Sequence, residues 1–132
     1  MDSQTIAVNI SRSVQDIYRY AHNPANLPDW APGVCKSIRR SGPDWLAETP
    51  SGEIKLRFVE DNVFGILDHY VTLNSGIEIY VPMRVISTPI PNTSQLQITI
   101  FRPPNTSDEA FQQDLLLVRS DLELLKQLLE RS

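Results

Sequence analysis

The sequence predicts an α+β fold in which a curved, seven-stranded antiparallel sheet wraps around a long C-terminal helix, with two short helices after the first strand. Three observations predict it. Between Val34 and Arg102, short stretches of alternating apolar and polar residues are separated by turn-forming clusters, the pattern of successive hairpins. The last quarter changes to helical periodicity. Strands and helix each carry one apolar face that must be covered, and packing one on the other satisfies both.

Taken in order, "TIAVNI" places Ile6, Val8 and Ile10 on one face of a first strand. Ser11 or Ser13 can cap a short helix whose apolar stripe is Val14, Ile17, Tyr18 and Ala21. "HNPANLPDWAPG" holds three prolines and predicts a brief second helix or irregular crossover. Strands follow at "VCKSIRR", "WLAET", "IKLRFVE", "ILDHYVTL", "IEIYVPMRVIS" and "QLQITIFR", the last stopping at Pro103-Pro104. The final stretch reads as one helix of about 25 residues, ~37 Å long at the α-helical rise. Thr106 and Glu109 fit a capping box, and Asp108 and Glu109 suit the positive end of the helix dipole. Phe111, Leu115, Val118, Leu122, Leu125 and Leu129 repeat at steps of four and three on its buried face. Leu116, Leu117, Leu124 and Leu128 widen that stripe.

Composition narrows the function classes. The chain has 132 residues, 41% hydrophobic and 21% charged, and a net charge of -4 from 12 basic and 16 acidic residues. One domain over 1–132 is expected. No basic cluster exceeds Arg39-Arg40, which argues against nucleic acid as a partner. No apolar run approaches the roughly 20 residues that span a bilayer, so membrane insertion is not expected. The start lacks the basic and apolar regions of a signal peptide. The single cysteine, Cys35, allows no internal disulfide and no metal spacing, and points to a reducing cytoplasm. No cofactor or metal site is expected.

With this element order, "ISRSVQDIYRYAHNPANLPDW", "FGILDHYVT" and "FQQDLLLVRSDLELLKQLLE" resemble the START-like superfamily, also called SRPBCC or Bet v 1-like. Within it the chain looks most like the bacterial polyketide cyclase/dehydrase-like group. The resemblance covers essentially the whole chain and implies a helix-grip fold enclosing an apolar cavity between sheet and helix. It also implies three candidate functions: carrier of a small hydrophobic or aromatic molecule, cyclase/dehydrase-like enzyme, and protein-interaction or co-chaperone-like domain. Some members hold iron with two His and one carboxylate. This chain has only His22 and His69, in different elements, so that site is not expected here.

Hairpin register identifies the inward face. Pairing about "NSG" sets His69 opposite Val81 and Leu67 opposite Met83. A symmetric "TPIPNTS" loop sets Met83 opposite Ile98 and Val81 opposite Ile100. On the other side, Leu56 is expected opposite His69 and Phe58 opposite Leu67. The expected cavity wall is therefore Leu56, Phe58, Leu67, His69, Val81, Met83, Ile98 and Ile100, with Phe111, Leu115 and Val118 from the helix and Trp30 and Trp45 as wall, lid or core packing. His69, Arg102 and Glu60 are the inward polar residues. Asp68 and His69 adjoin in a strand and so point to opposite faces, which disfavours a direct dyad. Asp68 is expected to face solvent beside Tyr80 and Arg84. His69 reads as a core histidine or a ligand contact, and as the candidate general acid-base if the protein is a cyclase. Arg102 reads as a clamp for a carboxylate or enolate, or as a salt bridge to surface or helix. Glu60 reads as a cavity residue or as one turned to solvent at the strand end.

Overall fold

The computed structural model describes residues 2–131; the ends of the domain expected over 1–132, Met1 and Ser132, lie outside the described residues. The order is β1 Ser3–Ile10, α1 Val14–Ala21, a 3-10 turn Pro24–Asn26, α2 Leu27–Trp30, β2 Ser37–Ser41, β3 Asp44–Thr49 and β4 Gly52–Phe58. It continues with β5 His69–Thr72, β6 Glu78–Val81, β7 Met83–Ser87, β8 Ser94–Phe101 and α3 Asp108–Arg131. All strand pairs are antiparallel.

The strands form two sheets, ordered β1-β8-β7 and β2-β3-β4-β5-β6. The expected sixth strand, "IEIYVPMRVIS", breaks at Pro82 into β6 and β7, which is why eight strands stand where seven were predicted. Proline has no N–H to give to the ladder, so pairing is interrupted at that residue. The halves remain joined across the break. Thr99 N–H donates to the Pro82 carbonyl at 2.9 Å, and Leu67 N–H donates to the Met83 carbonyl at 2.8 Å.

Register follows expectation from β5 to β8: His69 pairs with Val81 and Met83 with Ile98. Between β4 and β5 it is displaced by two residues. Phe58, not Leu56, stands opposite His69, and Leu56 stands opposite Val71. The reason is the connection from Val59 to Asp68, which is a structured loop instead of a tight turn. The Asn62 side chain accepts from Phe64 and Ile66 N–H and donates to the Glu60 and Ile66 carbonyls. Gly65 takes φ +73° where a Cβ would collide with the Val85 carbonyl. A shift of two preserves which face each side chain occupies, so the apolar wall survives the slip.

Ser13 caps α1, accepting from Asp16 N–H at 3.1 Å. Helix α3 is capped by Ser107, whose Oγ accepts from Ala110 N–H, in place of the expected Thr106 capping box. Thr106 instead gives its carbonyl to Arg102. On α3, Phe111, Leu122, Leu125 and Leu129 are buried, Leu115 and Val118 are half-buried, and Leu116 and Leu117 face outward. The helix packs along β1 and against α2, and a core from Ile6 through Leu129 fills the space between.

Candidate functional site: an apolar cavity under the C-terminal helix

Between α2, α3 and the concave face of the sheet lies a cavity of about 170 Å³. Its sheet wall comes from alternate inward residues: Leu56 and Phe58 on β4, His69 and Val71 on β5, Val81 on β6, and Ile98 and Ile100 on β8. Trp30, Ala31 and Cys35 close one side, and Val118, Asp121 and Leu122 form the helix wall.

Eight of the residues expected at the cavity line it: Trp30, Leu56, Phe58, His69, Val81, Ile98, Ile100 and Val118. The other six lie elsewhere. Leu67, Met83 and Phe111 are buried in the core. Leu115 borders a shallow surface hollow with Gln4 and Arg119. Trp45 lines an open cleft of about 750 Å³ between α1, the β2–β3 hairpin and the loop after β4, with the Arg40 guanidinium 5.9 Å from its ring centre. Arg102 is engaged at the start of α3. It donates to the Thr106 carbonyl at 2.6 Å, pairs with Asp108 and Asp2, and lies over the Phe111 ring. It is not among the residues that line the cavity. Glu60 lies past the end of β4 and is exposed.

His69 and Asp68 separate as the strand period requires. His69 Nδ1 lies 3.0 Å from the Leu67 carbonyl. A carbonyl only accepts, so Nδ1 carries the proton and neutral His69 presents Nε2 as an acceptor. Burial lowers its pKa, against the opposing pull of the Leu67 carbonyl and the Asp68 charge. The displaced register brings Phe58 beside it, rings stacked at 4.7 Å. His22 meets the far edge of Phe58 at 5.9 Å and stacks on Tyr18 at 4.9 Å. Four rings therefore run from the outer cleft, where Tyr18 and His22 lie, to the inner cavity.

Asp68 is buried on the opposite face of the sheet, where solvent exposure was expected. Its expected neighbours are its actual partners. Arg84 binds both carboxylate oxygens at 2.8 and 2.9 Å, Tyr80 donates at 2.7 Å, and Met83 N–H donates at 2.9 Å. Burial alone would raise this carboxyl; the Arg84, Met83 and Tyr80 donors override it and hold the pKa at about 2.

Asp121 is the charged cavity residue that sequence reasoning missed. It is 6% exposed, on the helix wall of the cavity, and burial raises its pKa to about 6, partly offset by the Gly33 amide. The signal was present: Asp121 sits three residues after Val118 and four before Leu125, within the buried stripe of α3. Trp30 Nε1 is the one buried side-chain nitrogen or oxygen without a hydrogen-bond partner among the described residues. Cys35 is buried, donates to the Ser37 carbonyl at 3.3 Å, and has its pKa raised by that burial. Among the described residues no group of three or more His, Cys, Asp or Glu could hold a metal ion. Nor is any helix among them long and apolar enough to cross a membrane.

No family model matches the chain, and no curated protein matches it. Solved structures do. The protein XoxI from Bacillus cereus superposes with a TM-score of 0.78 at 20% identity, covering 98% of this chain and 96% of that one. A START superfamily protein from Mycobacterium smegmatis gives 0.71 at 11% identity, covering 96% and 98%. Ara h 8.0201 gives 0.69 at 8% identity, covering 99% of each. The fold is the helix-grip fold, shared with these structures.

Proposed function

We propose that this START-like fold serves as a binding module that holds one small, largely apolar molecule, of about single-ring size, between the sheet and α3. The observation that carries this reading is the cavity itself: about 170 Å³, walled mainly by aliphatic and aromatic side chains with polar groups at only a few points. An apolar cavity of ~150 Å³ in another protein accommodates benzene, which sets the scale of the occupant. A cyclase-like enzyme is supported less well. It needs a cation to hold an enolate, and Arg102, the candidate, is engaged with Thr106 and Asp108. An interaction-domain reading rests on a different feature, the exposed Val63, Phe64, Ile86 and Ile90 beside a surface groove; an internal cavity in the same molecule favours binding.

Native mass spectrometry of the purified protein tests the proposal. A co-purifying adduct of about one to two hundred daltons, lost on denaturation, is expected from a cavity of this size. A clean apo mass, combined with no chemical-shift change at His69 or Val118 on adding small aromatic compounds, overturns it.

A further inference from the structure

Resting on that reading, the polarity of the cavity narrows its occupant. Beside the Trp30 Nε1–H donor, two polar groups with a defined sense line it, one on each wall, and both accept. His69 Nε2 on the sheet wall is an acceptor because Nδ1–H is committed to the Leu67 carbonyl. Asp121 on the helix wall is a carboxylate with only a backbone amide, that of Gly33, to balance it. The Gly33 backbone comes so close that a Cβ there would lie 3.4 Å from Asp121 Oδ1. Among the described residues that line the cavity there is no lysine or arginine. Trp30 Nε1–H, a donor without a partner, is neutral and does not compensate charge. A buried carboxylate without a counter-charge is costly, and a cation delivered by the ligand removes that cost.

We infer that the cavity selects a small aromatic or apolar molecule bearing a protonated amine, with the ammonium group paired to Asp121 and the apolar body against Phe58, Val81 and Ile98. Anionic ligands of the same shape are rejected, because the wall that meets them offers a carboxylate and a ring-nitrogen lone pair. This reverses the charge preference that an inward Arg102 would have conferred.

The test compares three probes that share a phenylethyl body, at pH 8 by calorimetry or protein-observed NMR: 2-phenylethylamine, propylbenzene and 3-phenylpropanoate. The expected order is amine, then hydrocarbon, then acid, with at least tenfold between amine and acid. In Asp121→Asn the advantage of the amine over propylbenzene should disappear. Equal binding of amine and propylbenzene by the parent, or an amine advantage that survives Asp121→Asn, overturns the inference and leaves the apolar pocket standing. Failure of the folded parent to bind any of the three overturns the pocket reading as well. The ranking by the parent protein decides the matter even if the variant does not fold.

Discussion

Asp68 and Asp121 are both buried carboxylates, and their neighbours drive them in opposite directions. Asp68 has a bidentate arginine, a tyrosine hydroxyl and a backbone N–H, and titrates at about 2. Its ordinary value is 3.8, so its contribution to stability is present above about pH 4 and is lost as pH falls through about 2. Asp121 has only the Gly33 amide and titrates at about 6. There the native state binds the extra proton, so stability falls as pH rises from about 4 through 6. Denaturant unfolding of Asp68→Ala at pH 7 should show a loss of about 2–3 kcal/mol, because the carboxylate that binds Arg84, Tyr80 and the Met83 amide is removed. The loss should shrink toward pH 2, and between pH 5 and pH 7 the parent should lose stability relative to Asp121→Asn, a comparison that cancels the opposing titration of buried His69. An Asp68→Ala variant as stable as the parent at pH 7 would contradict the assignment.

At the scale of elements, termini and breaks are set by single residues. Pro82 divides what patterning presents as one strand, and the Asn62 loop displaces β4 against β5 by two residues. The start of α3 is held by Ser107 as the cap and by Arg102, which ties Asp108 and the Thr106 carbonyl to the end of β8. Ser107→Ala should lower stability by about 1 kcal/mol. Thr106→Ala should have a smaller effect, since the Thr106 contribution here is its carbonyl. Thermal unfolding of the two variants side by side separates the two possible caps.

For the molecule as a whole, the cavity lies between α2, α3 and the inward face of the strands, with the small side chains of Ala31, Cys35 and Ala47 on its wall. Val118 belongs to its helix wall, and Trp30 closes one side. Val118→Trp should fill it: the variant is expected to fold, with an unchanged denaturant m-value, and to lose binding of propylbenzene. Retained binding in a folded Val118→Trp protein would place the ligand elsewhere, with the outer cleft beside Tyr18, His22 and Trp45 the next location to examine.

Much of this was legible in the chain. Alternation gave the inward face of each strand, the heptad-like spacing gave the buried stripe of α3, and adjacency in a strand was enough to separate Asp68 from His69. These depend on local periods, which a sequence states directly. The two-residue slip was hidden because it leaves the apolar pattern unchanged, and with it the stacking of Phe58 on His69. Alternation left Arg102 two readings, a cavity clamp or a salt bridge to surface or helix, and the structure shows the second: a strand period reports the side of a strand, but the partner is chosen by what the chain brings near, here the Thr106 carbonyl and Asp108. Asp121 went unremarked because a carboxylate on a helix surface is ordinarily solvated. Only the packing of α3 over the sheet turned that position inward and made it, with His69, one of the polar points of the cavity.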